Sequence, residues 1–418
     1  MHLIMNILLF LVIAFVLGVF WFLADIKFAQ KWSLKRAELG AQDKWRELNA
    51  HFETGIRCRR PFLLLFQRFV IPGLLEADYA LHLSNQGEHE RALVLAETAS
   101  RKSAKRPDIQ ITVLAAKASV LMRLGRYADA QKATDLGREL IRNSPPSANS
   151  SPNYGNDIVV TQALIELNLG NLNAALQLGT EASAAAISDP ARALISGALT
   201  AMGRFQEALD ALVYEPSRFE MFLKPDDREL LAKDKMFQES ADMTNEELSG
   251  VFGPAISLGR ASVFLETGDT ANLGEALERT QKELKSNQMM EHIFVRTRAC
   301  WHAMRGDVAG VEADLAKARQ LTDEKPASRS AKYEYHLAAG RARLLLGQVE
   351  AAIIELESAC RLALHPMEKH TSTYWQARAN QSANQSSAAT LFKAVIANGF
   401  STWMDADSRV RYAEIEVE

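Results

Sequence analysis

The chain has few cysteines: Cys58, Cys300 and Cys360 stand far apart and without CxxC spacing among 418 residues. That excludes a disulfide framework and a thiolate zinc site. It is also poor in residues that interrupt helices, with 12 prolines and 22 glycines, and runs of β-branched residues are scarce. A predominantly β architecture is therefore excluded in favour of helix. The formal net charge of −3 leaves no global field to draw the chain to nucleic acid. Signature motifs are missing as well. There is no GxxxxGK[ST], no GxGxxG after a strand, no HExxH and no GxSxG. Phosphate-binding loops, zinc peptidase helices and nucleophile elbows drop out with them. No catalytic residue, cofactor or metal site is expected.

Charge is absent from one place in particular. Residues 3 to 24, LIMNILLFLVIAFVLGVFWFLA, contain no ionisable side chain and one polar one, Asn6. At about 1.5 Å per residue, a helix of this length crosses a hydrocarbon core about 30 Å thick. Trp21 and Phe22 fall where an aromatic belt meets the headgroups. A cleaved signal peptide would carry a basic start and a small-x-small end. Here MH precedes the run and bulky VFWFLA closes it, so residues 1–25 read as an uncleaved anchor. Ten Lys/Arg against five Asp/Glu occupy residues 25–70, which leaves the rest of the chain at −8. Lys27 and Lys31, with Lys35 and Arg36, lie just beyond the span and none precedes it. The positive-inside rule then keeps the bulk of a single-pass protein on the cytoplasmic side.

Residues 26–75 read as a basic juxtamembrane helical region, beginning with a charged amphipathic spacer that carries Trp32 and Trp45. Its second apolar stretch, RCRRPFLLLFQRFVIPGLL, is too short to span and is bracketed by Pro61 and Pro72. One reading docks it as a buried helix on the first helices of the body. The other lays residues 61–75 in the interface, with Phe62 and Phe66 in lipid and Arg59, Arg60 and Arg68 at headgroups.

The body of the chain is repetitive. An apolar helical stretch, a glycine and a second helical stretch recur with glycines at Gly87, Gly125, Gly170, Gly203, Gly268, Gly306 and Gly347. Seven residues before each glycine stand Ala80, Ala118, Ala163, Ser196, Ala261, Ala299 and Gly340, all small. Five residues after stand Ala92, Ala130, Ala175, Ala208 and Ala352, replaced by Leu273 and Val311 in two copies. Two antiparallel helices approach closely only where the crossing residues are small, and the tight turn needs a residue tolerant of φ > 0. Tyr127, Leu172, Phe205, Val308 and Val349, two after the glycine, are expected to fill grooves between hairpins. Spacings of 33 to 45 residues, with one gap of 65, match arrays of helical hairpins.

LSNQGEHERALVLAETA (83–99), LMRLGRYADAQKA (121–133), LNLGNLNAALQLGTEA (167–182), AMGRFQEAL (201–209) and LLLGQVEAAIIELESA (344–359) carry these offsets most clearly. They resemble the tetratricopeptide repeat, including the alanine twelve after the glycine at Ala99, Ala182, Ala318 and Ala359. The family's early tryptophan and closing proline are mostly missing. The resemblance implies an all-α protein: an α-solenoid of about seven degenerate hairpins over residues 76–365, preceded by one transmembrane helix. The gap, about residues 213–253, reads as an insertion rather than a further hairpin. Residues 366–418 read as a polar, helix-biased stretch, a capping helix at LFKAVIANGF, and a tail, RVRYAEIEVE, that alternates like a short strand or is a loose end. HPMEKH places His365, Glu368 and His370 together and reads as loop polarity. Tyr333 and Tyr335 read as core or groove lining.

Solenoids of this kind expose a concave face built from the first helix of each hairpin. Candidate partner contacts there are Arg123, Asn168, Arg260, Arg298, His302, Arg341 and Arg343. The expected occupant is a peptide or helix segment, and the arginines suit an acidic peptide or a C-terminal carboxylate. The layout is that of a membrane-tethered scaffold, or adaptor, that recruits a protein partner to the bilayer. It is similar in layout to the bacterial kinesin-light-chain-like membrane-tethered proteins, and to the anchored assembly proteins of lipopolysaccharide regulation, whose closing CxxC module is missing here. The alternatives are an envelope assembly scaffold facing away from the cytoplasm, or an enzyme with its site in the insertion.

Overall fold

The computed structural model describes residues 45–57, 72–143, 155–185, 189–212, 245–284, 288–324 and 328–417, together with Phe28, Lys31, Trp32, Lys35, Arg36 and Leu39. Residues 1–25, expected to form an anchor, and most of the 213–253 segment lie outside the described residues. Among the described residues no helix is long and apolar enough to cross a membrane.

Every element among the described residues is a helix: α1 (Trp45–Ile56), α2 (Leu74–Asn85), α3 (His89–Ser103), α4 (Pro107–Arg123), α5 (Tyr127–Asn143), α6 (Asn156–Leu169), α7 (Leu172–Ala185), α8 (Asp189–Ala201), α9 (Phe205–Ala211), α10 (Asn245–Thr267), α11 (Thr270–Glu283), α12 (Gln288–Met304), α13 (Val308–Asp323), α14 (Arg329–Leu345), α15 (Val349–Leu362), α16 (Pro366–Ser382), α17 (Ser387–Ala397) and α18 (Trp403–Val417). From α2 to α17 they pair successively into eight hairpins, and each first helix also packs on the next hairpin.

The offsets identified in the sequence make this packing possible. All six alanines and serines at the seven-before position, and Gly340, are buried. The seven residues five after the glycine are fully buried, Leu273 and Val311 included. All seven turn glycines adopt positive φ, from 73° at Gly306 to 87° at Gly87. The following amide reaches back to the carbonyl five residues earlier, as Arg126 N does to Leu121 O at 2.9 Å and Gln348 N to Arg343 O at 2.9 Å. That hydrogen bond closes the first helix and fixes where the second begins.

The eighth hairpin makes the same turn without glycine. Asn384 holds φ at 53°, and Gln385 N bonds Asn380 O at 2.9 Å. Asparagine tolerates this region, so the turn is made at a small cost. Ala377, seven residues before it, is fully buried.

Three expectations are corrected. RVRYAEIEVE is neither strand nor loose end but the last part of α18: Met404 and Ser408 are buried, and Tyr412 and Ile415 pack on the same cluster at helical spacing. Val308 does not fill a groove; it is 49 % exposed, whereas Leu172 at the same offset is buried. HPMEKH is not a polar loop. His365 caps α16 with Glu368 in a capping box, and His370 is fully buried, its Nε2 2.9 Å from Thr402 Oγ1.

The C-terminal elements turn the array back on itself. Helix α16 packs against α6, and Leu364, Phe400 and Trp403 lie against the turns at Gly125, Gly170 and Gly203. Phe400 lies so close that a Cβ on Gly170 would come within 2.6 Å of its ring.

At the other end, Trp32 stacks on His51 with centroids 4.6 Å apart, and its Nε1 donates to His51 O at 3.3 Å. Arg36 pairs with Asp78 of α2 at 2.6 Å. Trp32 and Arg36 of the basic region are therefore docked on α1 and on the first hairpin.

Candidate functional site inside the superhelix

The interior is lined by one face of each first helix. A helix turns about 100° per residue, so positions two, six and ten before the turn glycine share a face, while four and eight lie about half a turn away. Asn85, Arg123, Asn168 and Glu266 occupy the two-before position, Ser262 and Arg341 the six-before position, and Arg296 the ten-before position. Helix α16 crosses the interior, and among the described residues two cavities border it.

The larger cavity, of about 540 Å3, lies between hairpins one to three and hairpins six and seven, with the start of α16 on its rim. Its charged and titratable lining is Arg123, Arg296, Arg329, Glu334, Glu368, His89, His292 and His365. Arg296 pairs with the half-exposed Glu334, whose desolvation is outweighed by the charges of Arg296, His292 and Arg123, which hold its carboxyl below the usual range. Arg329 donates to the carbonyls of Leu362 at 2.7 Å and Arg361 at 3.2 Å and so satisfies the end of α15. Glu368 accepts from the amides of Leu364 at 2.8 Å and His365 at 3.1 Å, while burial pushes its carboxyl up. The Tyr127 hydroxyl bonds His365 Nδ1, and burial followed by the charge of Arg123 depresses that imidazole to about 4. His89 is likewise lowered, first by burial and then by Arg123. Arg123 itself meets only the carbonyl of Ser84, at 3.4 Å, and has no carboxylate within ion-pair distance among the described residues.

The smaller cavity, of about 310 Å3, lies between α8, α10, α16 and α18. Its walls are Gly197, Gly259, Ser196 and Thr200, faced by Trp375 and Trp403. Glu266 on its edge pairs with Arg341 at 2.8 Å, and the Arg341 guanidinium lies 4.3 Å from the centroid of Trp375.

The structure brings together only part of the predicted set. Arg123 and Asn168 line the larger cavity, and Arg341 borders the smaller through Glu266. Arg298 and His302 turn to Asp314 of their own hairpin's second helix, at 2.6 and 3.7 Å. Arg343 turns to Glu312 at 3.5 Å, and Arg260 is exposed away from both cavities. These four stand four or eight residues before the glycine, about half a turn away from the interior face. Arg296, two residues from Arg298, is absent from the predicted set although its phase relative to Gly306 identifies it. Glu334, His89, Arg329, His365 and Glu368 are absent because only the folding back of α16 brings them together. Of the predicted lipid contacts, Lys31 is described and exposed. Trp21, Phe22, Lys27, Arg59, Arg60, Phe62, Phe66 and Arg68 lie outside the described residues. Among the described residues no cluster of His, Cys, Asp and Glu could hold a metal ion.

No protein-family model matches the sequence, and no curated protein matches it. Solved structures do. A Rap protein complexed with Competence and Sporulation Factor is 11 % identical, with 92 % of this chain and 99 % of that one covered, at a TM-score of 0.53. A tetratricopeptide repeat protein from Parabacteroides merdae is 13 % identical over 72 % of this chain and 98 % of that one, at a TM-score of 0.39. Yeast Tom70 is 12 % identical over 94 % and 96 %, at a TM-score of 0.27. The likeness is one of fold: this chain is a helical-repeat solenoid of the tetratricopeptide type.

Proposed function

We propose that the protein is a membrane-tethered scaffold that binds a protein partner within its superhelix and recruits it to the cytoplasmic face of the bilayer. The observation that carries the recognition half is the larger cavity. Its polar lining comes from six different hairpins, so its shape depends on much of the array. A packed core would have filled this space with apolar side chains. The Rap structure, complexed with a factor, lends the reading support as a solenoid of this fold with a bound partner. The tethering half rests on the uncharged run of residues 3 to 24 and the basic residues just beyond it. The docking of Trp32 and Arg36 on α1 and α2 would hold the solenoid in one orientation to such a stem.

The test uses the full chain in cells, with a photo-crosslinking residue replacing Asn168 and a second version carrying it at Val94, which is 65 % exposed. The reading expects the chain in the membrane fraction, a C-terminal reporter active in the cytoplasm, and one discrete crosslinked protein from position 168 alone. Recovery in the soluble fraction would remove the tether. A reporter active only outside would turn the scaffold to the other face. A partner crosslinked from position 94 alone would take recognition away from the interior.

A further inference from the structure

Helix α16 prevents the interior from acting as an open trough for a long helix or an extended chain. What it leaves is a chamber of about 540 Å3, within the range that holds small ligands. The charges around the chamber are unevenly committed. Glu334 offsets Arg296, Arg329 holds the carbonyl end of α15, and Glu368 caps the amide end of α16. Arg123 has no comparable task. Its guanidinium offers five N–H donors, and a single long contact to the Ser84 carbonyl engages it. Glu334 acts on it only from beyond ion-pair distance and is itself paired with Arg296, so among the described residues no carboxylate meets this buried cation directly, an unfavourable arrangement.

We propose that the larger cavity is a binding site for the oxyanion of a compact ligand, a carboxylate or a phosphate, held in a fork by Arg123 beside His89 and Asn85. The proposal rests on the interior being the recognition site and adds the chemistry that it reads. Guanidinium and planar oxyanion match bidentately, and such pairs are stronger than neutral hydrogen bonds. A free acid or a short peptide's terminal carboxylate presents the same group.

The test is calorimetric titration of the full chain in lipid nanodiscs with inorganic phosphate, succinate, trialanine and trialanine amide. The proposal expects saturable one-site binding of at least one of the first three and none of the amide. Binding by trialanine but not succinate or phosphate identifies a peptide terminus as the source; the converse identifies a free metabolite. Arg123→Gln should weaken the bound probe by about tenfold or more, the loss of one charged fork. Arg123→Lys should fall between, and Arg343→Gln, on the far helix face, should bind as wild type. Thermal melts of each variant keep loss of fold apart from loss of the site.

An independent readout is the histidine ring signals by NMR: a bound anion beside Arg123 should raise the titration midpoints of His89 and His365. Failure of all three oxyanions to bind, equal binding by Arg123→Gln, or unmoved midpoints would each overturn the proposal. A protein crosslinked from position 168 without any oxyanion binding would overturn this inference and leave the partner reading standing.

Discussion

Arg341 and Glu266 stand 75 residues apart in sequence and 2.8 Å apart in space, the arginine 12 % and the glutamate 17 % exposed. They join α14 to α10 across the intervening α12, and Trp375 of α16 lies over the guanidinium at 4.3 Å from its centroid. One ion pair thus ties together the fifth, seventh and eighth hairpins.

Removing one partner of this pair is expected to cost more than replacing the cation with an apolar side chain of similar length. Glu266→Gln leaves the guanidinium buried without a counter-charge, at a cost of about 3 kcal/mol or more. Arg341→Met retains the packing on Trp375, and the glutamate left behind reaches the smaller cavity, so its loss is expected to be about half as large. Urea unfolding of both variants checks the order. Equal losses would mean that the pair acts through shape rather than charge.

Stability is expected to fall on mild acidification. His82 and His365 are both depressed to about 4 from 6.5, in each case chiefly by burial. A histidine whose folded value lies below its unfolded one binds its proton more readily unfolded. Its contribution is therefore complete above about pH 6.5 and is lost as the pH falls toward 4. At pH 4 each could contribute up to about 3 kcal/mol of loss. Midpoints measured between pH 7.5 and 4.5 should fall steadily below 6.5, and His365→Gln should flatten that fall. A flat profile over this window in the wild type would contradict the buried neutral imidazole.

The repeat itself is legible in the sequence because its determinants are local: a small crossing residue, a turn of positive φ and a small residue beyond it are required by two helices packed side by side. The features that are not legible depend on relations between hairpins. The eighth hairpin hides behind Asn384, which does the work of a glycine. The cavity hides because its walls come from residues as far apart as His89 and Glu368. The arginines divide for a third reason, their phase on the first helix. Arg123 and Arg341 fall on the interior face, whereas Arg298 and Arg343 fall on the face toward their acidic neighbours.

Glycines at two kinds of place are expected to respond differently to substitution. At Gly347, φ is 74° and a Cβ would meet nothing within 4 Å, so Gly347→Ala is opposed by backbone strain alone, about 1 kcal/mol. Gly347→Asn should cost less, since Asn384 fills the equivalent turn. At Gly340 a Cβ would lie 2.5 Å from Leu356 Cγ, inside a fully buried contact. Gly340→Ala must displace that side chain, at about 1–3 kcal/mol, partly offset by better helix propensity. Calorimetric melts of the three variants, with Asn384→Gly as the converse, should rank Gly340→Ala lowest and leave Asn384→Gly at or above the wild type.

The basic region's docking should separate orientation from stability. Trp32 and His51 exchange two hydrogen bonds, at 3.3 and 2.8 Å, and stack with an interplanar angle of 12°. Phe52 meets the indole edge-on at 6.3 Å. Arg36 adds a pair to Asp78, but both side chains are over a third exposed, so its worth is at most about 1 kcal/mol. The aromatic contact should therefore dominate: Trp32→Ala is expected to release the segment, and Arg36→Ala only to loosen it. Because α1 to α18 keep their own contacts, the solenoid's melting should change little in either. Fluorescence energy transfer from a dye at position 31 to one at position 94 reads the difference, as a broad distance distribution for Trp32→Ala and a narrow one for Arg36→Ala. A narrow, unshifted distribution in Trp32→Ala would mean that another contact holds the basic segment, and that its direction is not set by this stacked pair.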